Sequence, residues 1–373
     1  MNIGILIPGF SASEDDWCIP VYLNLVRELA KEHDVRVFPI RYPPTHTPYT
    51  VHGAHVFPFN GGSFTAGWAR WSMLWEVERG IKKHHQVKPF DVLHAIWADE
   101  TGYIANNIGK QLGVPTVISI AGGELVGFEN IQYGLQLGRV TARLVHRALH
   151  YATMIVAPCQ YTANLTRQYM QHYRMAGEEK LHVVPLGVDT ELFKPPEIDT
   201  RPREFLHVGS LNPIKRQDLL LQLIARMPNT TLDIVGDGEL RGYLESLCRE
   251  LKIEDRVVFH GEVAHDQLPA YYQEAHFLLM TSQHEAFCMA AIEALACGTE
   301  VIGSAVGVLP EIGKTAPVGD LEGLLTQLLG RQRMHSDIQR MQRRLVVEHD
   351  YTVQKMAQGL VGVYEAAMQV TRW

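Results

Sequence analysis

The chain has 373 residues, 46% of them hydrophobic and 20% charged, and carries a formal net charge of −7 at pH 7. That length exceeds the size at which one core keeps growing, so two domains are expected, and the acidic balance argues against nucleic acid as the main partner. Cys18, Cys159, Cys248, Cys288 and Cys297 are scattered and form no C-x-x-C pair, which points to a reduced, cytoplasmic setting without a disulfide framework or zinc site.

The first residues, Met1–Gly9, form a short apolar run closed by a turn, read as a first strand and not as a signal peptide. No apolar stretch reaches the ~18 residues of a membrane span. The expectation is a soluble protein, or one resting on a membrane surface.

Short β-branched runs then alternate with longer amphipathic segments, the α/β pattern of a parallel sheet flanked by helices. Strands are predicted at Ile3–Ile7, Val35–Ile40, Val92–Ala95, Thr116–Ile120, Met154–Ala157 and His182–Pro185. Helices are predicted between them at Val21–Glu32, Trp68–His85, Gly102–Leu112, Val140–Tyr151 and Tyr161–His172. The strands are nearly all apolar, as expected when helices cover both faces.

A polar stretch stiffened by Pro195, Pro196 and Pro202 interrupts the rhythm and reads as a linker. The pattern resumes with strands at Phe205–Val208, Leu232–Val235, Val257–His260, His276–Thr281 and Val301–Gly303. Helices are expected near Gln217–Met227, Leu240–Leu251, Leu268–Glu274, Met289–Ala296 and Leu321–Leu329, with a last one at Val353–Val370. Two such domains imply a cleft, a usual place for a ligand.

The segment Thr281–Gly307, TSQHEAFCMAAIEALACGTEVIGSAVG, carries the most chemistry. A strand ends near Ser282, and a helix starting near Phe287 is stopped by Gly298. Amide groups at that helix start, aligned with its dipole, suit a diphosphate. Glu293 lies among Met, Ala, Ile, Leu and Cys, where a carboxylate is costly unless it accepts hydrogen bonds. A ribose diol is one partner that could supply them; a buried salt bridge is the other reading. Glu285, eight residues earlier, would face the sugar end of the same ligand or act as a charge at the helix start.

This E-x7-E pattern, with ALACGT and VIGSAVG after it, resembles the donor-site signature of retaining GT-B glycosyltransferases of family four. The resemblance extends to VVPLGVDTELFKP (Val183–Pro195), HVGSLNPIKRQDLLLQLI (His207–Ile224), IVGDGELRGYL (Ile234–Leu244) and RVVFHGEV (Arg256–Val263), all in the family's order. It implies an acceptor-binding Rossmann-like domain over 1–185, a linker over 186–203 and a nucleotide-sugar-binding domain over 204–350. A C-terminal helix over 351–373 would pack back toward the first domain. The implied reaction moves a sugar from a UDP- or GDP-linked donor to an acceptor hydroxyl with retention and without metal or other cofactor. The acceptor is left open among sugars, lipids and small molecules, as is the oligomeric state. The alternatives are an impaired nucleotide-sugar-binding module and a GT-B nucleotide-sugar epimerase.

By the same resemblance Lys215 contacts the donor diphosphate and Glu293 the ribose. Backbone at Phe287, Cys288, Met289 and Ala290 meets phosphates and sugar, and the base lies near Glu262 and Val263. Glu285, the candidate catalytic carboxylate, touches sugar hydroxyls. The chain departs from the family at four places. Ser210 stands where an arginine is usual, Ala121 where a histidine is usual, Cys288 where a glycine is usual and Glu300 where a proline is usual. Arg216 is the nearest replacement for the missing arginine.

Signals in the first half are more ambiguous. Gly9 is either a loop residue facing the donor phosphates or a plain turn. His94 is either a satisfied structural histidine or an acceptor-side residue. Trp68, Trp71 and Trp75 recur at helical spacing ahead of Arg79, Lys82 and Lys83. They read first as a core stripe with a solvated end, and otherwise as an acceptor platform or peripheral membrane contact. Arg139, Arg143 and Arg147 read as a solvated helix face or as a stripe receiving an anionic group.

Overall fold

A computed structural model of the chain describes residues 1–62, 67–197, 202–329 and 337–371. It divides into two compact units, Met1–Gly187 with Val353–Trp373, and Val188–Thr352.

The first unit contains β1 (Asn2–Gly9), α1 (Pro20–Leu29), β2 (Asp34–Tyr42), β3 (Tyr49–Val51), β4 (Ala54–Val56) and α2 (Gly67–Val87). It continues with β5 (Val92–Ile96), α3 (Glu100–Leu112), β6 (Thr116–Ser119), α4 (Arg139–Tyr151), β7 (Met154–Ala157), α5 (Gln160–His172) and β8 (Leu181–Val183). Its sheet runs β3-β4-β2-β1-β5-β6-β7-β8 and is parallel except for the β3–β4 hairpin. Apolar β-branched strands occupy the middle, and Ile3, Ile5, Leu6, Val92, Leu93, Val117 and Ile118 are buried. Each such side chain contributes about 1.5–3 kcal/mol of burial. Helix α3 shows the local logic. Asp99 caps its start by accepting the Thr101 amide, and Gly113 closes it at φ 68°, where a Cβ would be strained.

The second unit contains β9 (Arg203–Val208), α6 (Gln217–Ala225), β10 (Leu232–Val235), α7 (Arg241–Leu251), β11 (Val257–Gly261), α8 (Leu268–Glu274) and β12 (Ala275–Met280). After these come α9 (Met289–Ala296), β13 (Glu300–Ser304), α10 (Leu309–Ile312), β14 (Lys314–Ala316), α11 (Leu321–Leu329) and α12 (Asp337–Asp350). The sheet order is β11-β10-β9-β12-β13-β14, with every pairing parallel. Strand order reverses between β9 and β12, and open α/β sheets present their ligand crevice at such a point. Among the described residues no helix is long and apolar enough to cross a membrane.

Chain order and element type match the sequence pattern closely, with instructive differences. The β3–β4 hairpin, α10, β14 and α12 had no predicted counterpart. Much of the expected linker is a packed part of the second unit. Phe193 is fully buried, its ring lies 5.2 Å from His265, and Arg344 donates to the carbonyls of Phe193 and Thr190. The final helix, α13 (Val353–Thr371), is part of the first unit.

The tryptophans of α2 are not a core stripe. Its inward face is Arg70, Met73, Leu74, Val77 and Ile81, and the three indoles lie on the opposite side. Arg139, Arg143 and Arg147 form an exposed face of α4, with the Arg147 guanidinium 5.3 Å from the Tyr103 ring centroid.

Candidate functional site

The loops leaving β9 and β12 meet at the reversal point of the second sheet. They are stitched together by the Gln283 amide, which donates to the Ile214 carbonyl at 2.8 Å, and by Thr281 Oγ1, which donates to the Arg216 carbonyl at 2.9 Å. This brings two candidates together. Lys215 Nζ donates to Glu285 Oε1 at 2.6 Å, and Ser282 Oγ donates to the same oxygen at 2.7 Å. Both bonds fall on Oε1, and among the described residues no protein donor meets Oε2. The pair is mostly buried, so its attraction is screened less than that of a surface pair.

His207 underlies this cluster. Its Nδ1 donates to the Leu279 carbonyl at 2.9 Å, which leaves Nε2 to accept from Gln217 Nε2 at 3.2 Å. Burial lowers its pKa to about 4, so the ring is neutral at physiological pH. Gln217 also donates to the Ser210 carbonyl at 3.0 Å and thereby ties the Lys215 loop to the strand. Arg216 does not supply a second phosphate cation from a free position. Its guanidinium is held by Asp218 through two bonds of 2.9 Å.

Glu285 is not on the helix that follows. Cys288 adopts φ 89°, ψ 77° and caps α9 without a side-chain hydrogen bond, so the helix begins only at Met289. A left-handed backbone is costly for a side chain with a Cβ. Gly307 then packs directly on the preceding loop: a Cβ there would lie 2.3 Å from the Phe287 carbonyl oxygen and 2.9 Å from Glu285 Cβ. That carbonyl accepts the Val308 amide at 2.8 Å, and the Phe287 ring is buried. Met289 and Ala290 are half-buried.

Glu293 belongs to a different cluster. It is only 6% exposed, yet it does not depend on a ligand for its hydrogen bonds. Tyr272 Oη donates to Oε2 at 2.8 Å and His265 Nε2 lies 3.1 Å from Oε1. Of the two partners considered for this carboxylate, the internal one is present: Tyr272 and His265 supply the contacts from within the protein. Val263 stands two residues before His265, just beyond the end of β11, so the segment expected near the base adjoins this cluster.

The candidates of the first unit fare differently. Gly9 is the last residue of β1, in register with Tyr42, and its backbone is unstrained. His94 is fully buried. Its Nδ1 lies 2.7 Å from Tyr364 Oη on α13 and its Nε2 lies 2.8 Å from Ser119 Oγ. Burial pushes its pKa down to about 3. The geometry is that of the structural reading of His94: one ring nitrogen meets Tyr364 of α13 and the other meets Ser119 of the neighbouring strand β6.

Sequence reasoning missed Glu124, in the loop where Ala121 replaces the family's histidine. Its carboxylate is fully buried and accepts the amides of Ala121 at 2.9 Å and Gly122 at 2.6 Å. Burial outweighs these bonds and raises its pKa to about 7, with the neighbouring Asp99 charge adding to the effect. A folded-state value above the ordinary carboxylate value means that the native state binds the extra proton. This contribution to stability is complete below about pH 4.5 and is lost as pH rises through about 7. Thermal unfolding at constant ionic strength should show that loss, and Glu124→Gln should flatten it. An unchanged slope in the variant would rule Glu124 out as its source. The Gly-Gly-Glu sequence after a strand was the available signal.

The family model described as glycosyl transferases group 1 matches residues 188–322, and that described as Glycosyltransferase Family 4 matches residues 21–192. An MMP alpha-(1->4)-mannosyltransferase from Mycolicibacterium hassiacum is 34% identical over 203 residues, covering 51% of this chain and 49% of that protein. The chain thus spans about half the length of that relative. A D-inositol 3-phosphate glycosyltransferase from Segniliparus rotundus is 26% identical over 88% of this chain and 78% of its own length.

Among solved structures, sucrose-phosphate synthase from Thermosynechococcus elongatus is 19% identical and aligns with a TM-score of 0.81 over 99% of this chain and all of the other. Anabaena HepE in complex with UDP is 16% identical and aligns with a TM-score of 0.71 over 98% of this chain and all of the other. These structures share the two-sheet GT-B architecture. With both halves matched in order, the chain belongs to the group 1 glycosyl transferases of glycosyltransferase family 4.

Proposed function

We propose that this chain is a retaining, metal-independent glycosyltransferase that moves a sugar from a nucleoside diphosphate sugar to an acceptor hydroxyl. The observation that carries the reading is the Lys215–Glu285 pair at the reversal point of the second sheet. An ammonium at that place can take up charge on a leaving diphosphate, and the first amides of α9 can add to it. Glu285 Oε2 is left to accept from sugar hydroxyls. Support also comes from the relatives, which are named as a mannosyltransferase and a D-inositol 3-phosphate glycosyltransferase, and from the neighbour solved with UDP. These support a nucleotide-sugar donor and leave the base, sugar and acceptor to experiment.

A thermal-shift screen with UDP, GDP, ADP, TDP and their sugars tests the donor site. Ligand at about a hundred times its Kd adds about 2.7 kcal/mol, a rise of roughly 3–4 °C for a protein of this size. Turnover of the best donor should persist in excess EDTA and give the retained anomer by NMR. If no nucleotide shifts the transition and no donor turns over, the reading fails.

A second reading has one specific observation behind it. Ser210 and the Arg216–Asp218 pairing leave Lys215 as the cation of the β9 loop that reaches Glu285, which favours a binding module of low turnover. Donor-induced stabilisation without slow donor hydrolysis would support the module.

A further inference from the structure

The outer face of α2 is built unlike the rest of the surface. Trp68, Trp71 and Trp75 are 91%, 46% and 62% exposed, and they are three of the six tryptophans in the chain. Their spacing of three and four residues puts them on one side of the helix. The helix cannot turn to hide them, because Met73, Leu74, Val77 and Ile81 lock its other side into the core. Soluble proteins rarely expose contiguous apolar patches of this kind without a use for them.

One turn further along, the aromatic stripe gives way to cations. Arg79 lies over the Trp75 ring at 5.5 Å and Lys83 is exposed, while Lys82 is engaged with Glu78 at 2.6 Å. Beside this junction is an open groove of about 690 Å³ lined by Trp75, Arg79, Lys82 and Lys83, with Glu76 and Glu78 also on its wall. Indoles prefer the boundary between water and hydrocarbon, where the ring is buried and the N–H stays wet. Arginine and lysine beside them match an anionic headgroup layer.

We propose that α2 docks the chain onto the surface of an anionic lipid bilayer, with the three tryptophans entering the headgroup boundary and Arg79 and Lys83 meeting lipid phosphates. A second copy of the chain fits the same stripe less well, since a two-fold pairing places the same cations on both sides of the contact. None of these α2 residues is among the donor-site candidates, so the proposal stands whichever sugar is transferred.

The test uses the full chain with two kinds of vesicle, phosphatidylcholine alone and phosphatidylcholine mixed with phosphatidylglycerol at about 3:1. The wild type should sediment with the anionic vesicles, with a blue shift in tryptophan emission, and added salt should release it. W68S/W75S should lower partitioning at least tenfold. R79Q/K83Q should also lower it about tenfold and remove the salt dependence. Unchanged melting temperatures would show that both variants remain folded. Failure of the wild type to bind anionic vesicles overturns the proposal, as does equal binding by W68S/W75S. A dimer in sedimentation velocity that the tryptophan variant dissolves, with no vesicle binding, would overturn it in favour of self-association.

Discussion

Lys215→Ala is expected to lower kcat/KM for sugar transfer by about a hundred- to a thousandfold, the usual effect of removing one preorganised group that stabilises charge in the transition state. The protein itself holds the ammonium 2.6 Å from Glu285, so it needs little reorganisation to meet a diphosphate. Its removal also leaves Glu285 with Ser282 as its remaining donor, at a stability cost of about 1 kcal/mol. The two effects are separable, because the folded fraction can be measured directly while kcat/KM is determined for the folded enzyme. Lys215→Arg keeps the charge and changes the donor geometry, so it should retain part of the activity. In a double-mutant cycle with Glu285→Gln the losses should be far from additive. Wild-type kcat/KM in Lys215→Ala would remove Lys215 from the reaction.

Glu293→Ala should destabilise the protein before any nucleotide is added. The substitution leaves the Tyr272 hydroxyl and the His265 ring without their shared acceptor in a buried place. Orphaned buried polar groups of this kind together cost about 2–4 kcal/mol, so the ligand-free transition should fall by roughly 3–5 °C. Glu293→Gln keeps an acceptor for Tyr272 and should lose less. Unfolding followed by circular dichroism, with and without the best nucleotide, divides the structural role from the binding role. A ligand-free melting temperature equal to wild type would show that the internal bonds add nothing. Loss of the donor-induced shift alone would then return Glu293 to a purely ligand-facing role.

The architecture was largely legible because buried parallel strands are apolar on both faces and their spacing survives in one dimension. Short edge pieces were not: β3, β4 and β14 have three residues each, too few to show an alternation. Helix α12 escaped notice because its charged residues mask its apolar positions. For α2 the period was right and the face was wrong. Tryptophan dominates any reading of hydrophobicity, while the real core side mixes Arg70 with Met73, Leu74, Val77 and Ile81 at the same spacing.

The donor loops show a similar limit. The motif order named Lys215 and Glu285, but their contact spans 70 positions and only the sheet topology creates it. The partners of Glu293 sit 21 and 28 positions away, so the local composition made a satisfied carboxylate look as though it needed a ligand. His94 was ambiguous for the same reason, since its partner Tyr364 lies 270 positions along the chain.

That distant tyrosine bears on how the protein is born. The first unit is completed by α13, which brings Tyr364 to His94 and packs against α1. A ribosome makes the chain from its amino end, so residues 188–352 have all been synthesised before the last helix is made. Nascent domains commonly fold in the order of their synthesis. Here the amino-terminal unit begins first and finishes last: the second unit has its full complement of residues while the first still has an uncovered sheet and a histidine without its tyrosine.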